Sequence, residues 1–424
     1  MAELIPGGVD IPIKLREELE EGKVIFFCGA GVSMPSGLPS FKGLAEQVVE
    51  ELARDKDGLL LKAFEEENYD KVFNLLERPE ENNVEPKDLR AIVANKLTPK
   101  RNADISPHTT LIKLSHDQSG IGRLVTTNFD GLFEKAYKKL YPKNKDYNPD
   151  TCPRLPIPKP DNSWNSIVHL HGWLLDKRDP DHKNIVLSSA DFGRAYLVER
   201  WASRFVTELF RHFRVVFIGY QVEDPVMKYL VDALAEARGE GFKSAYAFAP
   251  FDPEKGTEKD IIELWKSKGS IQALTYQAKG ADHSSLWQSL EAWAELHHGG
   301  FDSKCSRVTN HAMEKPDTVF PNDIENMVWA ISQPDGNIAK VFADMNKAPR
   351  DKRRKKEEPP PLDGPPPPIE WLPIFEENEL LVVDQKGVKT PIVTYSTYDY
   401  RELSPVSFHL SRWLLRHMDK IELL

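Results

Sequence analysis

An α/β fold with a doubly wound, mostly parallel sheet is predicted by three features of this sequence. Short apolar, β-branched runs recur at Val24–Phe27, Leu124–Thr127, Ile167–Leu170, Ile185–Leu187, Val215–Ile218, Ala245–Phe248 and Ile271–Thr275. Helical patterns lie between most of them, and alternation of this kind builds parallel sheets. Distinctive loops at Gly29, Asn128, His171 and Gly219 follow directly on four of the runs. Ligands of such sheets sit at the carboxyl ends of the strands.

The chain has 424 residues, enough for two or three domains with a core of ordinary size. Its formal net charge of −10 argues against a dedicated nucleic-acid binder, although a local basic patch stays open. The three cysteines, Cys28, Cys152 and Cys305, have neither metal-ligand spacing nor the even count of a disulfide framework. A reducing compartment fits them best. The first 20 residues lack a signal-peptide core, and no run of about 18 apolar residues spans a membrane. The expectation is a cytoplasmic protein without metal or membrane contact.

The expected organisation is a first domain over residues 1–300, interrupted by a helical insertion at 43–118. A helical connector follows at 301–347, and then a basic, Pro-rich linker at 348–370. Such a linker reads as a stiff, solvated spacer. Residues 371–424 read as the start of a small α+β region. Strands Leu380–Val383 and Thr390–Tyr395 flank Gln385-Lys-Gly387, and the amphipathic helix Pro405–Met418 follows. Roughly 55 residues are thin for an independent core. Residues 141–163, rich in Pro, Lys and Asp, read as an irregular loop over one end of the sheet.

Four segments could carry chemistry. In Gly29-Ala30-Gly31-Val-Ser33, glycines at a strand end let backbone and ligand approach closely, and free amides favour an anion. A tight turn without a ligand is the other reading. The usual dinucleotide fingerprint is not met, because Met34 stands where a third glycine would fall. In Thr126-Thr127-Asn128-Phe-Asp130, an amide and a carboxylate suit a polar ligand and a positioned water. Either side chain could instead cap the helix Gly131–Leu140. In His169-Leu-His171-Gly172, alternation puts both histidines on one face. A His at a strand end is a candidate general base, or else a satisfied core histidine. In Gly219-Tyr220-Gln-Val-Glu-Asp224-Pro225, Gly219 and Tyr220 are the ligand candidates, and Asp224 reads as a helix cap. Asp282-His-Ser-Ser285 reads as a cap or a contact for a base.

Taken in chain order over roughly residues 10–297, these segments resemble the sirtuin superfamily. The first resembles the family's Gly-Ala-Gly-x-Ser…Ser-Gly-Ile-Pro-x-Phe-Arg loop, with Ser40 and Lys42 in place of its Asp and Arg. Thr-Thr127-Asn128-Phe-Asp130 resembles Thr-Gln-Asn-Ile-Asp. Leu170-His171-Gly172 resembles the Leu-His-Gly that holds the catalytic histidine, and Gly219-Tyr220 falls at the Gly-Thr-Ser ribose loop. The four-cysteine zinc ribbon of sirtuin deacylases has no counterpart between Cys152 and Cys305. That departure, and Ile185-Val-Leu-Ser-Ser-Ala-Asp191-Phe192 after the His-Gly motif, look like the sirtuin-like effectors of bacterial anti-phage systems.

The resemblance implies a Rossmann-like domain without a zinc ribbon, and NAD consumed as the substrate. Ala30, Gly31 and Ser33 would hold its diphosphate, with Gly29 in the same loop, and Phe41 would cover the nicotinamide end. Asn128 and Asp130 would orient the ribose and a water, with Thr127, Gly219 and Tyr220 alongside, and His171 would be the base. The activity implied is NAD hydrolysis to nicotinamide and ADP-ribose, in abortive infection. The partners implied are a second copy of the chain and a phage-derived trigger or partner defence protein. A protein deacylase or ADP-ribosyl transferase, and a non-catalytic NAD- or ADP-ribose-sensing module, are the alternatives.

Overall fold

The structure, a computed structural model, describes residues 4–5, 7–52, 58–77, 86–117, 120–160, 164–221, 244–267, 271–280, 282–333, 335–347, 364–378, 380, 382–383, 389–390 and 404–417. The chain divides into two compact units, residues 5–294 and residues 295–424 with 1–4.

The first unit is a seven-stranded sheet: β1 (Val24–Cys28), β2 (Leu124–Thr126), β3 (Asp150–Thr151), β4 (Ile167–His169), β5 (Arg214–Ile218), β6 (Ala245–Phe251) and β7 (Ile271–Gln277), in the order β3-β4-β2-β1-β5-β6-β7. Every pairing in it is parallel, with Phe27 opposite both Val125 and Phe217. Strand order departs from β1 in both directions, so the switch point lies between β1 and β5, where open α/β sheets bind ligands. The central strands are buried throughout and mostly apolar, because both faces are covered. Ile25, Phe27, Val125, Val168, Val215 and Phe217 pack under the helix Trp201–His212 through Phe205, Val206, Leu209 and Phe210. On the opposite face Phe26 meets Trp293 edge-on at 5.8 Å. Burying side chains of this size contributes about 1.5–3 kcal/mol each.

The Rossmann-like, doubly wound expectation holds, with one exchange of strands. Ile185–Leu187 is fully buried but irregular, and the short β3 occupies the sheet edge instead. Val186 N–H donates to the His171 carbonyl at 2.8 Å, so this run follows the turn after β4 and pairs with no strand. A short apolar run signals burial, and periodicity alone cannot add that it is a strand.

Among the described residues, five α-helices lie between β1 and β2: Phe41–Glu51, Gly58–Glu65, Tyr69–Leu76, Pro86–Lys96 and Ser106–Ser115. The last packs on β1 and on the helix Leu132–Leu140, which makes it the crossover of the sheet. The earlier four share a core of Leu44, Val48, Phe73, Leu89 and Val93 that also takes in Phe129, Ile185 and Leu187.

In the second unit, helices Gly300–His311, Pro321–Ile331, Asn337–Asp344, Leu372–Glu377 and Pro405–Leu415 surround an aromatic core of Phe342, Trp371, Phe375 and Trp413. Trp413 Nε1 donates to the Pro367 carbonyl at 2.9 Å, and Arg416 donates to the carbonyls of Ala343, Met345 and Gly364. The expected hairpin is seen as two-residue strands, Val382–Val383 against Lys389–Thr390. Its turn at 385–387 and residues 391–395 lie outside the described residues, as does the basic run of the linker. No described helix is long and apolar enough to cross a membrane.

Candidate functional site

The loops after β1 and β5 are interlocked, and the lock explains their glycines. A Cβ on Gly29 would lie 2.7 Å from Tyr220 Cζ, and one on Gly31 would lie 2.7 Å from Gly219 Cα. Gly219 has φ +75°, and a Cβ there would lie 2.7 Å from Val32 N. Gly31 N–H donates to the Gly219 carbonyl at 3.0 Å. These glycines therefore admit one another's backbone and the Tyr220 ring. The sequence suggested close approach to a ligand, but the close approach observed is loop to loop. Two short 3₁₀ turns follow, Ala30–Val32 and Met34–Ser36, and Ser40 caps the helix that begins at Phe41 by accepting from Gly43 N–H at 3.1 Å.

Beside this lock runs a buried polar chain centred on Ser33. Its hydroxyl donates to Asp130 Oδ2 at 2.8 Å. Asn128 Nδ2 donates both to the Gly29 carbonyl and to Ser33 Oγ, each at 3.0 Å. His108 Nε2 lies 3.2 Å from the same Oγ. The single Ser33 proton is committed to Asp130, so Nε2 carries the proton and is the donor. Burial holds His108 neutral, with its pKa down to about 3. Asp130 Oδ1 accepts from Leu132 N–H at 2.9 Å, so this residue caps the helix and lines the site as well. Burial pushes the Asp130 carboxyl up, while the Leu132 and Ser33 donors pull it back. Thr127 Oγ1 lies 2.6 Å from Tyr220 Oη, which ties the β2 loop to the β5 loop.

The two histidines part company. β4 ends at His169, and the turn after it aims His171 into the cleft, with Nε2 2.9 Å from the Tyr196 hydroxyl and Phe192 edge-on at 5.2 Å. Burial alone lowers the His171 pKa to about 3, so the imidazole is neutral. His169 lies behind the cleft, between Glu134 Oε1 at 2.8 Å and the Asn128 carbonyl at 2.9 Å. The expectation that both face the same way fails because the strand's alternation stops at residue 169.

A cleft of about 680 Å³, part of it open to solvent, collects Ala30, Ser33, Phe41, Thr127, Asn128, Asp130, His171 and Tyr220. Gly29, Gly31 and Gly219 shape its floor from beneath without lining it. Its apolar wall comes from Leu38, Leu44, Leu97 and Phe129, with Val186 and Phe192 opposite. Phe41 is braced on Phe73 and Tyr69, with ring centroids 5.4 and 6.4 Å away.

The segment bearing Val186 and Phe192 is fastened by Arg90. Its guanidinium donates to Asp191 Oδ2 at 2.7 Å, to the Ile185 carbonyl at 3.0 Å and to the His182 carbonyl at 2.9 Å, and it meets Glu77 at 2.9 Å. No described residue of 141–160 lines this cleft. Tyr147 instead holds the sheet edge, its hydroxyl accepting from Ile167 N–H at 2.8 Å. Residues 282–285 stand apart too, with Asp282 accepting from Ser284 N–H as a cap, and Asp224-Pro225 lies outside the described residues.

His108, Glu134, Tyr196 and Arg90 were not singled out from the sequence. Each reaches a partner between 13 and 101 positions away, and no local pattern marks them.

Residues 122–272 match the family model of the SIR2-like domain. The match contains Asn128, Asp130, His171 and Gly219, so the sirtuin-like expectation is supported where most of the polar site lies. A SIR2-like domain brings NAD-related chemistry into view for this cleft. The chain is also 30% identical over 327 residues to the "Uncharacterized protein y4cA" of Sinorhizobium fredii, covering 76% of this chain and 27% of that protein. It thus spans about a quarter of that relative's length.

Proposed function

We propose that the cleft hydrolyses NAD to nicotinamide and ADP-ribose, and that the protein is an NAD-depleting effector of bacterial anti-phage defence. The observation that carries the reading is one cleft joining a neutral, buried His171 to the Ser33–Asn128–Asp130 chain. The donor set suits a ribosyl ligand. A carboxylate has about four acceptor sites. Each Asp130 oxygen takes one hydrogen bond from the chain, which leaves capacity for a hydroxyl or carboxamide. The three cysteines of these 424 residues are too few for a four-thiolate ribbon, which counts against a deacylase built like the zinc-bearing sirtuins.

In this reading the Ala30–Ser33 turn supports the diphosphate, and Phe41 closes over the nicotinamide end. Asn128 and Asp130 orient the nicotinamide ribose and a water. The glycosidic C–N bond is exchanged for a C–O bond to water oxygen, the bonding pair leaves with nicotinamide, and His171 takes the proton. General-base help of this kind is worth about 10²–10⁴-fold. A second copy of the chain and a phage-derived trigger or partner protein belong to the same reading.

The test is release of free nicotinamide and ADP-ribose by purified protein. Release from NAD and water alone supports the hydrolase. Consumption only with acyl-lysine peptide or another acceptor replaces it with a deacylase or transferase. Tight ADP-ribose binding without turnover replaces it with a sensing module.

A further inference from the structure

Behind the cleft, Glu134 and His169 form a buried pair that does not itself line the cleft, and His169 reaches the backbone of Asn128, which does. Glu134 is 4% exposed and His169 is fully buried. His169 Nδ1 lies 2.9 Å from the Asn128 carbonyl, which only accepts, so Nδ1 carries a proton and donates. Nε2 lies 2.8 Å from Glu134 Oε1. One further proton must lie between those two atoms, on the imidazole or on the carboxyl, because otherwise two lone pairs would face each other. The Trp173 ring stacks on His169 at 5.7 Å, and Glu134 Oε2 has no hydrogen-bond partner among the described residues. The imidazole is therefore held on both sides, and among the described residues its hydrogen bond to the Asn128 carbonyl links the pair to the cleft.

We infer that Glu134 and His169 are positioning residues that hold the Asn128 loop in its working geometry by sharing one buried proton. The inference rests on Asn128 acting in the proposed NAD hydrolysis. Burial pulls His169 down, but the Glu134 carboxylate and the Asn128 carbonyl outweigh it and raise its pKa. Asp130, on the loop after β2, and Tyr147, ahead of β3, are the other titratable groups that bear on the pair. Loss of the shared proton at alkaline pH would set a carboxylate against a bare Nε2 and unseat the loop.

Glu134→Gln separates this from a merely structural role. The Gln amide N–H donates to Nε2 of a neutral His169, Nδ1–H still serves Asn128, and no proton remains to be lost. The experiment measures kcat and KM for NAD from acid to alkaline pH on the full chain, with wild type, Asn128→Ala, Glu134→Gln and His169→Phe, each checked by circular dichroism. The expected result is an alkaline fall in kcat for wild type that is absent in Glu134→Gln, with neutral-pH kcat retained in that variant. His169→Phe should lower kcat by roughly 10²-fold, the scale of a small misplacement of a reacting group, with KM little changed. An alkaline limb unchanged in Glu134→Gln, or full kcat in His169→Phe, overturns the inference while leaving the hydrolase reading intact. If wild type releases no nicotinamide, the hydrolase reading fails, and ADP-ribose titration then judges the pair. Weakening in both Asn128→Ala and His169→Phe supports it, and weakening in Asn128→Ala alone overturns it.

Discussion

His169 and His171 are two positions apart, and the regions they enter differ in chemistry. Beneath the β2–β4 end, His169 meets a carboxylate, a carbonyl and an indole ring, and its pKa rises despite full burial. In the cleft, His171 meets a hydroxyl and an aromatic edge, and burial lowers it to about 3. The first is a fixed donor to a carbonyl, and the second is a neutral imidazole in the cleft. Residue type is the same in both, so the neighbours set the role, and desolvation is decisive only where no opposite charge answers it.

The largest expected effect tests the division of labour directly. Asn128→Ala or His171→Ala should cut NAD hydrolysis by about 10²–10⁴-fold while circular dichroism and melting stay near wild type. Full turnover by a folded Asn128→Ala variant would sink the assignment.

Next in size is the support of the His171 side. Arg90 pins residues 182–191, whose Val186 N–H holds the His171 carbonyl. Arg90→Ala leaves the half-buried Glu77 without this cation and Asp191 with only Arg194 at 3.1 Å, and should lower the urea unfolding midpoint, by less than the roughly 3–5 kcal/mol of a fully stranded buried charge. An unchanged unfolding midpoint would mean that the wall stands without it.

The two regions should also respond to pH with opposite sign. His171 and His108 are held below their unfolded value, so their contribution is present above about pH 6.5 and lost as pH falls toward about 3. His169 is held above its unfolded value, so its contribution is present below about pH 6.5 and lost as pH rises through the raised pKa. A tenfold difference in proton affinity between the folded and unfolded chain corresponds to about 1.4 kcal/mol of stability. Urea midpoints against pH for wild type and Glu134→Gln sharpen the contrast, because only the alkaline side should change.

The smallest effect belongs to Tyr196→Phe, which removes one neutral hydrogen bond from His171. A bond of that kind is worth about 0.5–1.5 kcal/mol, so turnover should change by roughly 2–10-fold. A loss as large as that of His171→Ala would assign the hydroxyl a direct part in the reaction.

The sequence carried the sheet well because its central strands are buried on both faces, which writes them as mostly apolar runs. It misread Ile185–Leu187 for the same reason, since burial shapes composition whether or not a strand is formed. Gly29, Gly31 and Gly219 were correctly marked as places of close approach, but the approaching group is the other loop. Asn128 and Asp130 left a choice between cap and site, and the fold answers with both roles for Asp130.

Local spelling determined the fold class and the placing of Ser33, Asn128 and His171 at strand ends, because strand and loop signals are written in neighbouring residues. Tertiary structure decided what those residues do. Ser33 finds His108 across 75 positions and Asp130 across 97, and His169 finds Glu134 across 35. Hydrogen-bond direction and desolvation exist only once such distant groups share one dry space, so the neutral imidazole of His171 and the buried Glu134–His169 pair are products of the fold.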